Sequence, residues 1–393
     1  VKRSGFTLLE LMIASAISLG VIGGGVVVTT QLQRRSVLES RTAMTQSALR
    51  NLQDLIAPDF ARAGGGTGSG RITFGSAERY AIDIKSNEAF ASDSTFALPP
   101  AAYLTGGPDL TSDFVEIWSG DAASALSVVR CPSNKVRTGA FICTSSAWPA
   151  SMIGKNVFAV NPSKRRGCIF EVKAVAGGPS TNAVKVDDAH GVAASPALSL
   201  CSSTFELSPD SNITSFWDSD ELVLMPAMSR AFRVNWKSGS PVLEVDPDGT
   251  TESAGTWQVL SRNVEQMKVR YGLVNLATPS ATLAWYPDTA AGNLAVDACP
   301  NDGTTSPPTG CMIPGASSFS AAVDESTIRD ALMHRVRNVE VSFTARSGAP
   351  DIAQVAKSGT AFLLDAESNR RDGYKRRTFA IRVSPRNFGY LRN

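Results

Sequence analysis

Hydrophobic and polar positions change rhythm once along this chain. From Leu11 to Gln33 no residue is charged, and residues 11–28 are largely apolar. As a helix that run covers about 27 Å, close to the hydrocarbon thickness of a bilayer. Beyond it, Leu38, Leu49, Leu52 and Ile56 recur near one helical face, with Thr42 and Thr45 as weaker members. Arg34, Arg35, Glu39, Arg41 and Arg50 fall on the other surfaces. Pro58 and Gly64-Gly65-Gly66 mark the expected end. The pattern predicts one helix over residues 6–57, roughly 78 Å long, whose part at about 11–28 crosses a membrane.

After residue 70 the rhythm becomes alternation. Met267, Val269 and Tyr271 alternate with Lys268 and Arg270. Val339, Val341 and Phe343 alternate with Glu340, Ser342 and Thr344, and Phe379, Ile381 and Val383 with Ala380, Arg382 and Ser384. Each reads as a half-buried strand. Shorter candidates are Arg71–Phe74, Tyr80–Ile84, Phe114–Trp118, Cys168–Val172, Glu221–Met225, Phe232–Trp236 and Pro241–Val245, with one short helix at Ser326–His334. Loops rich in Gly, Ser, Thr and Pro are expected at 92–112, 144–156, 175–182 and 277–320. The fold class is therefore α+β: a long N-terminal transmembrane and amphipathic helix, then a mostly antiparallel, β-rich globular head over 58–393.

Composition narrows the chemistry. A net charge of +2 over 393 residues indicates no nucleic-acid partner. The basic clusters Lys164-Arg165-Arg166, Arg370-Arg371 and Lys375-Arg376-Arg377 read as solvated surface, with contact to DNA or an acidic surface as the alternative. Cys131, Cys143, Cys168, Cys201, Cys299 and Cys311 form no CxxC pair, and with only His190 and His334 a zinc site is not expected. An even count at wide spacing fits disulfides in an oxidising compartment. Nearest-neighbour pairing is the expectation: Cys131–Cys143, Cys168–Cys201 and Cys299–Cys311. Gly64–Gly70 lacks the Lys-Ser/Thr of a phosphate loop and follows a helix, so it reads as a flexible connector. Asp246, Asp248 and Glu252 surround Pro247 and Gly249; they could ligate calcium, but Pro-Asp-Gly between strands is itself a turn signal. No nucleophile elbow accompanies the two histidines, so no catalytic residues and no cofactor are assigned.

The first residues carry the sharpest signal. Lys2 and Arg3 precede the apolar run, which keeps the start cytoplasmic and sends the rest outward. After Val28 comes Thr29-Thr30-Gln31-Leu32-Gln33-Arg34-Arg35, with no small-residue cleavage pattern of a secretory signal. The apolar segment is therefore kept. Glu10 is the oddity, since a carboxylate deep in a membrane helix costs on the order of a few kcal/mol. Gly5-Phe6-Thr7-Leu8-Leu9-Glu10-Leu11-Met12 resembles the prepilin cleavage and methylation motif of type IV pilins and type II secretion pseudopilins. The resemblance implies a leader at residues 1–5, cleavage between Gly5 and Phe6 by a prepilin peptidase, and N-methylation of Phe6. Val1 is then an initiator decoded literally from an alternative start codon. Gly20, Gly23, Gly24 and Gly25 weaken the helix by up to about 1 kcal/mol each. They suit either close helix packing or the local unwinding that pilin helices undergo in a filament.

Glu10 becomes the family's acid at the fifth mature position, where the resemblance implies pairing with the amine of a neighbouring subunit. That amine sits unfavourably against its own helix dipole, and either group left alone in an apolar core is strongly penalised. A second resemblance lies in the head. Val264-Glu265-Gln266-Met267-Lys268-Val269-Arg270-Tyr271-Gly272, Arg335-Val336-Arg337-Asn338-Val339-Glu340-Val341 and Lys375-Arg376-Arg377-Thr378-Phe379-Ala380-Ile381-Arg382-Val383-Ser384-Pro385-Arg386-Asn387 are similar to segments of PilW-family minor pilins. The middle of the chain carries no such resemblance. Together they imply a non-catalytic minor pilin anchored by a single pass in the inner membrane, head in the periplasm. It would then reach the pilus at the cell surface, with other minor pilins and the major pilin as partners. A pseudopilin of type II secretion and a tip-associated adhesin or receptor are the alternatives.

Overall fold

The structure is a computed structural model and describes residues 7–74, 77–86, 90, 93–100, 111–132, 137–138, 140–162, 166–188, 222–247, 256–274, 283–287, 333–348, 350 and 374–388. It has the expected layout of one long N-terminal helix followed by a β-rich head. Helix α1 runs Leu8–Arg62, 55 residues without interruption, through Gly20, Gly23, Gly24 and Gly25. It continues past the expected end at 57, because Pro58 sits inside the helix rather than stopping it. Pro58 removes one intrahelical donor, but burial secures the last turn: Ile56, Phe60 and Ala63 are fully enclosed and Phe60 stacks on Phe232 at 6.5 Å. The exit is closed by backbone. Ala63 N–H donates to Phe60 O, Gly64 N–H to Trp118 O, and Gly120 N–H to Gly65 O. Gly64 takes φ +75°, where a side chain would be strained and would meet Gly68 backbone. The Gly64–Gly70 connector is thus a pinned turn, not a flexible one.

The head contains β1 Arg71–Phe74, β2 Ala77–Arg79, β3 Ile82–Ser86, β4 Asp113–Gly120, β5 Leu126–Ser127, β6 Arg137–Thr138, β7 Phe141–Cys143, β8 Asn156–Asn161, β9 Arg166–Ala174 and β10 Ala183–Asp188. The long β11, Val223–Asn235, is followed by β12 Val242–Asp246, β13 Gln258–Arg262, β14 Val264–Leu273, β15 Ala284–Tyr286, β16 Val336–Arg346 and β17 Arg376–Val383. A larger sheet has the central order β13-β12-β11-β8-β9-β10-β7-β6, and a smaller one the order β15-β14-β16-β17. Among the described residues, strand pairings are antiparallel except β1 with β9. The expected strands Glu221–Met225 and Phe232–Trp236 are corrected to one 13-residue strand, β11, which continues through Pro226. Strand β15 lies inside the expected loop 277–320. Of the expected helix Ser326–His334, Met333 is helical; 326–332 lie outside the described residues.

One hydrophobic core joins the helix to both sheets. Leu49, Leu52, Ile56 and Phe60 contribute from α1, Met267, Val269 and Tyr271 from β14, and Val339, Val341 and Phe343 from β16. Ile82 of β3 and Ala81 just before it are fully enclosed in the same core. A second cluster under β7–β10, with Ile142, Val157, Phe170 and Val184, fills the far side of the larger sheet.

Candidate functional site

The N-terminal half of α1 is a bare apolar rod. Leu8, Leu9, Leu11, Met12, Ile13, Ile17, Leu19, Val21, Ile22, Val26, Val27 and Val28 are all more than half exposed. With a mean hydropathy of 2.2 over its most apolar window, α1 is long and apolar enough to cross a membrane. Nothing within 4 Å would meet a Cβ at Gly20, Gly23, Gly24 or Gly25. Thr7 caps the helix, and Glu10 sits three residues on in a reciprocal capping box. Glu10 is therefore placed in the first turn, next to the segment that holds Gly5 and Phe6. Those two residues lie outside the described ones.

At its other end the rod is fixed into the head. Asp59 pairs with Arg230 at 2.8 Å. Arg386 N–H donates to Ala61 O, and Asn387 Nδ2 donates to Arg62 O and Ala63 O. The three C-terminal segments singled out in the sequence come together here. They form the adjacent strands β14, β16 and β17 of the smaller sheet, whose inner face meets α1. On the outer face Glu340 of β16 bridges Arg270 of β14 and Arg382 of β17, and Trp285 stands 5.0 Å from both guanidinium groups. Burial would raise the Glu340 carboxyl, but the hydrogen bonds from Arg382 and Arg270 outweigh it and hold the group below its ordinary range.

Cys131 and Cys143 form a disulfide. Cys168 is disulfide-bonded as well, while Cys201, Cys299 and Cys311 lie outside the described residues. Asp246 is buried at the end of β12 and accepts a hydrogen bond from Thr256, whereas Asp248 and Glu252 lie outside the described residues. No cluster of His, Cys, Asp or Glu suited to a metal ion occurs among the described residues.

Sequence reasoning missed two buried charge clusters. Arg233, almost wholly enclosed, pairs with Asp93 at 2.6 Å and Glu244 at 2.8 Å and lies 3.9 Å from the Trp257 ring centre. Glu116, fully buried, pairs with Arg79 and accepts from Trp118 Nε1 at 2.6 Å. Burial pushes the Glu116 carboxyl up to about 7, against the pull of Arg79 and with the help of the Asp83 charge. Both clusters depend on contacts between residues far apart in sequence, which no local spacing reveals.

Comparison with known proteins bears on the N-terminus alone. A family profile described as the prokaryotic N-terminal methylation motif matches residues 1–24. With the apolar helix, it supports a type IV pilin-like or pseudopilin subunit with membrane anchoring and processing by a prepilin peptidase. No curated protein and no solved structure matches this chain.

Proposed function

We propose that this chain is a minor pilin of the PilW type, a structural subunit that helps to start or support type IV pilus assembly. Residues 1–5 are the leader, 6–57 with the extra turn to Arg62 the assembly stem, and the remainder the exported head. Cleavage between Gly5 and Phe6 leaves an N-methylated Phe6, and Glu10 pairs with the amine of a neighbouring subunit. The observation that carries this reading is the placement of Glu10. It is the one carboxylate in the first turn of an exposed apolar helix, inside the segment that matches the methylation motif. Other minor pilins, the major pilin and the peptidase are the partners. The stem waits in the inner membrane with the head in the periplasm, and the assembled subunit then stands in the pilus. The same motif serves type II secretion pseudopilins, but the 393-residue length favours the pilus. Mass spectrometry of the mature N-terminus, together with immunodetection in purified pili, tests the reading. A methylated Phe6 in the pilus fraction is expected. Methylated Phe6 absent from pili would move the chain to the secretion pseudopilins, and an intact leader would overturn the reading.

A further inference from the structure

Where the stem enters the head, the sheet opens. The β8 ladder on β11 ends at Pro226 and the β12 ladder begins at Ala231. A cavity of about 580 Å³ lies there, bordered by the last turn of α1, by β4, and by the turn that leads into β8. Its lining includes three cations, Arg62, Lys155 and Arg230, against one carboxylate, Asp59. Asp59 is engaged by Arg230. Arg62 and Lys155 are exposed and make no side-chain hydrogen bond or ion pair within 4 Å among the described residues; Arg62 shares the Asp59 charge with Arg230, which leaves the cleft with a positive excess centred on Lys155. Ser119 and Asn156 add polar groups, and Met228, 46% exposed, adds an adaptable apolar surface.

We propose that this cleft is a docking site for an acidic segment of a different filament subunit. The excess of positive charge asks for carboxylates, and the combination of arginine with exposed methionine is the composition of protein interfaces. Its place beside the stem puts it on the side of the head nearest to whatever packs on α1. The stem of a second copy is disfavoured by its charge. Beyond residue 28 it carries Arg34, Arg35, Arg41 and Arg50 against Glu39 and Asp54 before Pro58. Basic stem would then meet basic cleft. This inference rests on the assembly reading above for the nature of the partner.

The test uses the full-length chain in piliated cells, with p-benzoylphenylalanine in place of Met228. Irradiation is expected to give one dominant adduct to another pilin-like subunit, mapped to a peptide that contains Asp or Glu. Lys155→Glu, at an exposed turn position, should lower the adduct yield about tenfold, since like charges across an interface disfavour the complex. Lys155→Arg should preserve it. Protease resistance of the head controls for folding. No adduct, an adduct to the chain itself or to lipid, or a yield that Lys155→Glu leaves unchanged overturns the proposal. The N-terminal mass of the same sample separates the two readings. A methylated Phe6 without an adduct sinks the cleft alone, whereas an unprocessed leader sinks the assembly reading.

Discussion

Thr7 and Glu10 hold each other at the start of α1. The Thr7 backbone N–H and hydroxyl both donate to Glu10 Oε2 at 3.0 Å, and Glu10 N–H donates back to Thr7 Oγ1 at 3.2 Å. Glu10 thus has a local task, capping its own helix, beside the proposed task of meeting a neighbour's amine. The two tasks make different demands: a cap needs hydrogen-bonding groups, while an amine in an apolar core needs charge.

Substitutions at this pair separate the tasks. Gln serves the capping position as well as Glu, so Glu10→Gln keeps the cap and removes the charge. Thr7→Ala removes the cap, at about 1 kcal/mol, and keeps the charge. The proposed function expects piliation and incorporation to fall in Glu10→Gln and Glu10→Ala, to fall furthest in Glu10→Lys, and to stay near the wild-type level in Thr7→Ala. Truncating one member of a buried pair costs about 3–5 kcal/mol. Pilus counts and subunit cross-linking provide the measurement. The resemblance to type IV pilins implies that this acid pairs with the subunit nearer the tip, so the proposed function also expects this chain to cross-link to at least one minor pilin above it. Normal assembly of Glu10→Gln would reduce Glu10 to a cap.

Processing gives an independent check. A peptidase site shaped for glycine should be obstructed by a side chain, so Gly5→Val should accumulate a precursor heavier by the leader, with no methylation of Phe6. Membrane insertion should persist, because the apolar run at 11–28 is untouched. Intact-mass measurement on membrane fractions reads both. Unchanged cleavage of Gly5→Val would remove the basis for a cut at that junction.

What the sequence reveals follows the range of the interactions involved. The stem is written in one contiguous apolar run, and β14, β16 and β17 in plain alternation of residues that face the core and solvent. Pro58 fails as a stop signal because burial of Phe60 against Phe232, far away in the chain, outweighs one lost hydrogen bond. Strand β11 is hidden because Pro226 and exposed Met228 interrupt the pattern of a strand that changes partners midway. The Arg233 cluster draws on Asp93, Glu244 and Trp257, which only the folded chain assembles. The cleft at Lys155 is of the same kind: Arg62, Lys155 and Arg230 each look like solvated surface when read alone.

The disulfide is a second test of compartment. Cys131 and Cys143 close a loop with a sequence separation of 12. On the loop-entropy account such a link contributes about 3 kcal/mol. Replacing both cysteines by serine should lower the urea midpoint of the head accordingly while the helix and sheets form as before. Peptide mapping without reduction should recover the 131–143 pair from material taken directly from the periplasmic face. Recovery of both as free thiols would contradict the exported location.

Glu116 gives the head a distinctive dependence on pH. Its carboxyl rises from an ordinary 4.5 to about 7 in the folded chain, chiefly through burial. Between those values the native state holds a proton that the unfolded state releases. Stability from this group is therefore complete below about pH 4.5 and is lost as pH rises toward 7, by up to about 3 kcal/mol. Groups held low, such as Glu340, act in the opposite sense and in a different window: their contribution is lost only as pH falls through their depressed values. The two effects therefore do not cancel within the range above about pH 4.5. Glu116→Gln keeps an acceptor for Trp118 Nε1 but no longer titrates. It should flatten the fall in stability between about pH 4.5 and 7. Above that range Arg79 loses its charged partner in the variant, which lowers absolute stability. Urea denaturation of the full-length chain in detergent, followed by Trp fluorescence at several pH values, compares the two slopes. Parallel slopes for wild type and Glu116→Gln would show that this carboxyl does not titrate in that interval.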